Sequence, residues 1–311
     1  MNSYVQALRL PFLTGSLMPV LAGGALAYWA EKTGDLLMLG LTLLGVGSLH
    51  LGANLINDYF DAQGSDPLNL KITPFSGGSR VIQNQQFSAG TIKIMALSFF
   101  GLAIAAGLTL IYLGRPLVAV LGLLGLLGGY YYSAQPLQLM SRGLGELDIF
   151  LVFGPLITWG TYYVMVGKLK TVAFMAGVPF GFLIAAVIWI NQFPDFEADR
   201  EVGKYHLVAQ LGLAASRWVY AGLMLGPFIF LLILVEVYWL PDLLFAALLP
   251  LPLAVRAIRL LWRHYQTYEE IIPAQALTLM VPAAWYIIWE TRSCGSACVR
   301  SPNRSRPCRC C

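Results

Sequence analysis

Nine long apolar runs constrain this chain more than any other feature. With boundaries accurate to several residues, they cover 10–30, 36–57, 91–113, 115–133, 146–167, 171–193, 211–235, 239–262 and 272–290. About 20 apolar residues in a helix cross the hydrocarbon core of a bilayer. Charged residues make up only 12% of the chain, against about 25% in soluble domains. The sequence therefore predicts an all-α polytopic membrane protein with about nine transmembrane helices. The runs lack the alternation of polar and apolar residues that a β-barrel needs.

Basic residues in the connecting loops predict the orientation. The loops after the even-numbered runs contain ten of them: Lys71, Arg80, Lys93, Arg142, Arg200, Lys204, Arg217, Arg256, Arg259 and Arg263. The loops after the odd-numbered runs contain four: Lys32, Arg115, Lys168 and Lys170. Cytoplasmic loops carry the excess of Lys and Arg. We therefore expect the even loops to face the cytoplasm, in a cell inner (cytoplasmic) membrane.

The end of the chain has a different composition from the rest. All five cysteines follow residue 293, in a stretch rich in Ser, Arg and Pro. Such a stretch cannot form a packed core, and it has neither the His nor the paired Cys spacing of a zinc site. We expect one membrane domain over residues 1–290 and a disordered or aberrant tail over 291–311. A redox or metal-binding role of the tail is the alternative.

An acidic motif closes the second apolar run. Asn54, Asn57, Asp58 and Asp61 are spaced i, i+3, i+4 and i+7, so a helix places them on one face. A carboxylate on an apolar helix is costly unless it has a partner such as a cation or water.

A second acidic motif closes the sixth run. The pattern N-x-x-x-D occurs at Asn57–Asp61 and again at Asn191–Asp195, with Asp199 following. Each motif precedes a loop with a glycine and a base, Arg80 in the first and Lys204 in the second. Repeats of this kind place the site of a membrane protein between the two halves, although this repeat is weak.

The two motifs together favour chemistry on a diphosphate. Carboxylates facing a cytoplasmic cavity supply the oxygen ligands that Mg²⁺ prefers. Glycine-rich loops and Arg or Lys side chains bind the phosphate oxygens. Metal and bases also stabilise diphosphate as a leaving group, and a cavity among apolar helices would hold a long hydrocarbon chain. The net charge of +4 comes without a basic stripe, so nucleic-acid binding is not expected.

These residues match a known family. The chain resembles the UbiA superfamily of intramembrane aromatic prenyltransferases over about residues 1–290. The matching motifs are N-D-Y-F-D at Asn57–Asp61, D-x-x-x-D-x-x-x-G-K at Asp195–Lys204, and Tyr132-Ser133 followed by R-G-L-G-E at Arg142–Glu146. The residues of these motifs are most similar to those of 1,4-dihydroxy-2-naphthoate polyprenyltransferases of menaquinone biosynthesis.

The resemblance implies a helical bundle around a central cavity and a set of site residues. The catalytic carboxylates would be Asp58, Asp61, Asp195 and Asp199. Asn57, Asp58, Asp61 and Asp66 would hold one Mg²⁺, and Asn191, Asp195 and Asp199 a second. The diphosphate would lie among Lys71, Arg80, Lys204, Arg142 and Tyr132, the last two in the loop over the cavity.

The activity that the resemblance implies is transfer of a polyprenyl group from its diphosphate to an aromatic acceptor.

The sequence departs from the family pattern at two positions. Asp66 follows Asp61 by five residues, where the family commonly has four or six, and His206 stands where relatives often have Thr. A 4-hydroxybenzoate, homogentisate or tetrapyrrole acceptor is an alternative to the naphthoate. A cation-coupled transporter is the alternative from another class, but its acids would lie at span centres rather than at span ends.

Overall fold

The computed structural model describes residues 3–296, with the side chains of residues 3–241 and 244–284. This part of the chain forms helices and contains no strand. The first seven helices are α1 (Ser3–Leu8), α2 (Leu10–Glu31), α3 (Leu36–Asp61), α4 (Ala89–Tyr112), α5 (Val118–Tyr131), α6 (Gly145–Leu151) and α7 (Ile157–Val166). The others are α8 (Thr171–Glu201), α9 (Leu207–Leu211), α10 (Leu213–Tyr238), α11 (Leu251–His264) and α12 (Tyr268–Ser296).

The all-helical membrane fold is confirmed. In the described part of the chain, seven helical segments are long and apolar enough to cross a bilayer: Leu10–Glu31, Leu36–Asp61, Ala89–Tyr112, Gly145–Val166, Thr171–Glu201, Leu213–Tyr238 and Leu244–His264. The fourth predicted run is a shorter apolar helix, α5, and the ninth lies within α12. The predicted count of nine is therefore approximate. Of the predicted tail, residues 297–311 lie outside the described residues.

Helix α8 is the most enclosed of these segments. Phe180 and Trp189 on this helix are fully buried, and so is Tyr220 on α10. The indole of Trp189 donates a hydrogen bond of 2.9 Å to the carbonyl of Ser216, the residue one turn before Tyr220. Close packing and this interhelical hydrogen bond hold α8 at the centre of the bundle.

Glycines allow α8 to pack closely against α6 and the turn that follows α6. Between α6 and α7 the chain forms one π-helical turn, Val152–Leu156. A Cβ on Gly154 in this turn would lie 2.5 Å from the carbonyl oxygen of Gly177 on α8, and a Cβ on Gly181 would lie 2.4 Å from the carbonyl oxygen of Phe150. Only glycine permits such backbone contact. The π turn, a feature often found at functional sites, is thereby held with Phe153 facing a central cavity.

Candidate active site

A cavity of about 650 Å³ lies among helices α2 to α8 and α12. Most of its wall is apolar, with small residues such as Gly45, Gly122 and Gly125 on the sides. Its polar end lies where α3 and α8 finish. Eight of the predicted site residues line it: Asn57, Asp61, Asp66, Tyr132, Asn191, Asp195, Asp199 and Lys204. The fold thus brings together two motifs that are more than a hundred residues apart in sequence.

Lys204 joins the two acidic motifs. Its ammonium lies 2.6 Å from a carboxylate oxygen of Asp61 and 3.5 Å from one of Asp199. It also donates a hydrogen bond of 2.8 Å to the hydroxyl of Ser65. Burial alone would lower the pKa of this lysine, but Asp61 and Asp199 outweigh burial and raise its pKa. Lys204 is therefore a fixed positive charge at the polar end of the cavity.

Asn57 fixes the last turn of α3. Its amide donates hydrogen bonds of 3.2 Å to Asp61 and 2.9 Å to the hydroxyl of Ser133, which follows α5. The carboxylate of Asp61 thus receives Asn57 on one oxygen and Lys204 on the other. Charge-assisted hydrogen bonds of this type are the strong ones, so Asp61 is held in a single orientation toward the cavity.

Asp58 and Asp66 meet at a glycine of the α3–α4 loop. Gly78 has a φ of +74°, and a Cβ there would lie 3.1 Å from Asp66 Oδ2 and 3.5 Å from Asp58 Oδ1. The amide of Ser79 donates to Asp58 Oδ1 at 3.3 Å. The other oxygen of Asp58 is buried and has no hydrogen-bond partner in the described residues. Asp58 does not line the cavity.

The carboxyl group of Asp66 is buried, although it lies in a loop. Gln83 donates a hydrogen bond of 2.8 Å to it. Burial, and next the nearby carboxylate of Asp61, raise the pKa of Asp66 to about 7. A divalent cation would reverse this shift, because it favours the charged carboxylate.

Asn69 connects the α3–α4 loop to the second acidic motif on α8. The amide of Asn69 donates a hydrogen bond of 2.6 Å to Asp195 on α8. The side-chain oxygen of Asn69 accepts from the backbone N–H of Lys71 at 3.0 Å. Asn191, one turn earlier on α8, accepts from Gln275 of α12 at 3.0 Å. Asp195 is therefore oriented by a residue from the other half of the chain.

His206 takes part in holding Asp199. Its Nε2 lies 3.4 Å from Asp199 Oδ2, and its Nδ1 accepts the backbone N–H of Ala209 at 3.1 Å, which caps helix α9. The ring is fully buried and lines the cavity. The histidine at position 206, where relatives often have Thr, thus helps to hold Asp199 of the second acidic motif in place.

Three of the bases predicted to bind diphosphate point elsewhere. Arg80 has a φ of +61° and donates to the backbone carbonyls of Asp66 and Asn69, so that it braces the loop. Lys71 pairs with Glu197 at 2.7 Å on the exposed surface. Arg142 donates to the carbonyl of Pro136. None of the three bases lines the cavity in this conformation.

The oxygens at the polar end fit Mg²⁺. The donor set that lines the cavity there consists of the carboxylates of Asp61, Asp66, Asp195 and Asp199. No group of three acidic, histidine or cysteine side chains in the described residues is arranged to hold a metal ion by itself. Mg²⁺ usually takes one or two carboxylates, and completes its shell with water and substrate phosphate. The site therefore fits metal bound together with a diphosphate.

Sequence analysis placed Asn54 on the acidic face of α3 but missed His50, one turn deeper in the cavity. His50 and Asn54 precede Asn57 on the same face of α3, and both line the cavity. His50 is 6% exposed, and neither of its ring nitrogens has a hydrogen-bond partner in the described part of the chain. The ring packs edge-on against Phe153 at 5.3 Å. A histidine in the middle of an apolar run was the available signal, because ionisable residues within membrane spans are rare and usually functional.

Comparison with known sequences points to one family. Residues 16–279 match the model of the UbiA prenyltransferase family. The 1,4-dihydroxy-2-naphthoate octaprenyltransferase of Escherichia coli is 30% identical over 268 residues, which are 85% of this chain and 86% of that protein. The enzyme of the same name from Mycobacterium tuberculosis is 28% identical over 91% of this chain and 93% of its own length. UbiA prenyltransferase domain-containing protein 1 of Dictyostelium discoideum is 29% identical over 70% and 67%.

Solved structures show the same fold. A UbiA homologue from Aeropyrum pernix superposes with a TM-score of 0.65 at 15% identity, over 89% of this chain and 97% of that one. A UbiA homologue from Archaeoglobus fulgidus bound to GPP and Mg²⁺ gives a TM-score of 0.63 at 15% identity, over 92% and 99%.

Proposed function

This chain belongs to the UbiA prenyltransferase family and is a transferase of the membrane, and from that premise we propose that it transfers a polyprenyl group to 1,4-dihydroxy-2-naphthoate. The single observation that carries the proposal is the convergence of both acidic motifs on Lys204, at the polar end of a long apolar cavity. That arrangement suits a substrate with a charged diphosphate at one end and a hydrocarbon chain at the other.

The diphosphate would lie between α3 and α8. Asp61 and Asp66 would hold one Mg²⁺, and Asp195 and Asp199 would hold a second. When bound, Mg²⁺ supplies positive charge that stabilises the departing diphosphate. Lys204, which contacts Asp61 in this structure, would bind the phosphate oxygens of the substrate. Its raised pKa ensures that it is charged at neutral pH.

Arg80 has a supporting part in this proposal. It holds the loop that carries Asp66, Asn69 and the adjacent Gly77 and Gly78, which line the cavity. A glycine-rich loop of this kind lets backbone N–H groups approach an anion.

The acceptor would enter the cavity beside the allylic carbon. Loss of diphosphate leaves an electron-poor carbon, and the electron-rich ring of the acceptor forms the new C–C bond with it. For the naphthoate, the ring carboxylate leaves as CO₂ and the aromatic system is restored. His50 and Asn54, both with unpartnered buried nitrogens, would hydrogen-bond the hydroxyl groups of the acceptor. The choice of the naphthoate as acceptor rests on the names of the E. coli and M. tuberculosis relatives.

The site would face the cytoplasm. Basic residues cluster on the loops at the polar end of the cavity, and such loops remain on the cytoplasmic side. The substrates would then arrive at the polar end, with the prenyl chain extending into the span of the membrane.

Substitution of one carboxylate in each motif tests the proposal. Asp61→Asn and Asp195→Asn should each abolish prenyl transfer in purified membranes while the protein still folds. The matched control is Asp35→Asn, because Asp35 caps the opposite end of α3 and asparagine caps a helix as well. Wild-type turnover in either site variant would refute the site. Cation-driven solute uptake into proteoliposomes, without prenyl transfer, would favour the transporter instead.

A further inference from the structure

A second, smaller recess lies outside the central cavity, between α10 and α11. It has a volume of about 460 Å³ and is lined by Leu225 of α10 and by Val255, Ile258, Arg259, Trp262 and Arg263 of α11. None of these six residues lines the central cavity. We call this recess the α10–α11 groove.

The groove has a charged end and an apolar end. Helix α10 begins at Leu213, soon after the loop of Lys204, so Arg217 in its first turns lies near the level of the polar site. Leu225 lies eight residues further along, about 12 Å deeper at 1.5 Å per residue. Helix α11 runs in the opposite direction, so Arg263 lies at the same level as Arg217 and Val255 lies deep. The two ends therefore correspond to headgroup depth and hydrocarbon depth.

The arginines at the charged end have no acidic partner. In the described residues no ion pair involves Arg217, Arg259 or Arg263. Glu270, which follows α11, pairs with His264 instead. None of the six lining residues is acidic, so the groove has no carboxylate that could hold Mg²⁺.

Aromatic side chains make this end rigid. The guanidinium of Arg217 lies 5.7 Å from the ring centre of Trp262 and 4.8 Å from that of Tyr265. The indole N–H of Trp262 donates to the carbonyl of Arg217 at 3.0 Å, and the rings of Trp218 and Trp262 are 4.2 Å apart. Tryptophan and tyrosine favour the membrane–water boundary, which agrees with the depth assigned above.

We propose that the α10–α11 groove binds an anionic phospholipid. One acyl chain would lie along Leu225, Val255 and Ile258, and the phosphodiester would contact Arg259 and Arg263. Arginine is well suited to a phosphate group because its planar donors can bind two oxygens at once. A phospholipid is favoured over a prenyl diphosphate because the groove lacks carboxylates for the metal that would accompany a diphosphate.

Binding of phosphatidylglycerol tests this proposal without an activity assay. The full chain, purified in detergent, is titrated with phosphatidylglycerol or with phosphatidylcholine of the same acyl chains, and bound lipid is counted by native mass spectrometry. We expect wild-type protein to retain phosphatidylglycerol preferentially. Arg259→Gln and Arg263→Gln should each weaken its binding roughly fivefold.

Arg256→Gln is the matched control, because Arg256 lies on the same helix but does not line the groove. It should retain wild-type binding. Equal retention of the two lipids by wild type, or equal losses in Arg256→Gln and Arg263→Gln, would overturn the proposal. Displacement of phosphatidylglycerol by a metal-free polyprenyl diphosphate, lost in Arg259→Gln, would identify a different occupant and would also overturn it. Size-exclusion chromatography and thermal unfolding of each variant confirm that it is folded. A variant that fails to fold is replaced by Val255→Trp, which fills the groove and should likewise abolish retention.

Discussion

The ammonium of Lys204 lies 2.6 Å from a carboxylate oxygen of Asp61, although 143 residues separate them in the chain. Both side chains are largely buried, with 11% and 16% of their surfaces exposed. The contact joins the loop after α8 to the end of α3. It is therefore both a structural link between the halves and a part of the proposed site.

Removal of this lysine should affect stability and turnover together. Lys204→Met leaves Asp61 and Asp199 without their cation, and breaking a buried pair costs about 3 kcal/mol. We expect a lower thermal unfolding midpoint in metal-free buffer, partly restored by Mg²⁺, and a large loss of prenyl transfer. Lys168→Met, at an exposed lysine in the α7–α8 loop, serves as the control. Unchanged stability and turnover in Lys204→Met would contradict the pairing.

Asn69→Ala should lower turnover while leaving the fold intact. The amide of Asn69 orients Asp195, and loss of a residue that positions a metal ligand typically costs about 10- to 100-fold in metal affinity or activity. The concentration of Mg²⁺ needed for half-maximal activity should be higher in Asn69→Ala than in the wild type. Asn84→Ala changes an exposed asparagine of the same loop and should behave like wild type. Equal Mg²⁺ requirements in the two variants would show that Asn69 does not position Asp195.

The fold could be predicted further than the site could. Apolar runs of about 20 residues determine where helices form in a bilayer, so α3 and α8 lie where expected. The spacing of Asn57 and Asp61 along α3, and of Asp195 and Asp199 along α8, also predicted that each pair shares one face of its helix. The part played by Asn69 was not predictable, because it depends on the path of a loop between distant halves of the chain.

The basic residues near the acidic motifs show the same limit of prediction from sequence. Lys204 lines the central cavity, whereas Lys71 pairs with Glu197 and Arg80 braces its own loop. Sequence shows that a cation is near an acidic motif, but not which acceptor its flexible side chain will reach. The π turn at Phe153 depends on contacts with glycines of α8, and no local pattern marks it.

Stability in the absence of metal should fall as the pH rises. Asp66 has a folded-state pKa raised to about 7 by burial and by Asp61, so folding favours its protonated form. Its contribution to stability is complete below 3.8, the ordinary pKa of an aspartate, and is lost as the pH rises through about 7. Thermal unfolding in EDTA should show this loss between about pH 4 and pH 7. Stabilisation by Mg²⁺ should increase over the same range, because the ion needs the carboxylate.

Asp66→Asn tests that assignment. Asparagine can still accept the hydrogen bond from Gln83 but does not titrate in this range. The pH dependence of metal-free stability should therefore flatten. A profile identical to that of wild type would assign the titration to another group.

His50→Leu should separate stability from activity. The imidazole is buried without a hydrogen-bond partner in the described residues, and an unsatisfied buried polar group costs about 1 kcal/mol or more. The variant should be as stable as wild type or more stable, yet show a lower kcat/KM for the acceptor. Binding of Mg²⁺–diphosphate, measured by calorimetry, should not change. Full activity with the acceptor would remove His50 from the acceptor-binding part of the cavity.

The mass of the product formed by purified protein tests the central claim most directly. The protein is incubated with Mg²⁺, a polyprenyl diphosphate and an equimolar mixture of 1,4-dihydroxy-2-naphthoate and 4-hydroxybenzoate. We predict one main product, with the mass of the naphthoate plus the prenyl group minus CO₂, and none in EDTA. Prenylated 4-hydroxybenzoate as the main product would contradict the proposed acceptor. The absence of any prenylated aromatic product, from protein that binds Mg²⁺ and diphosphate, would contradict the proposed reaction itself.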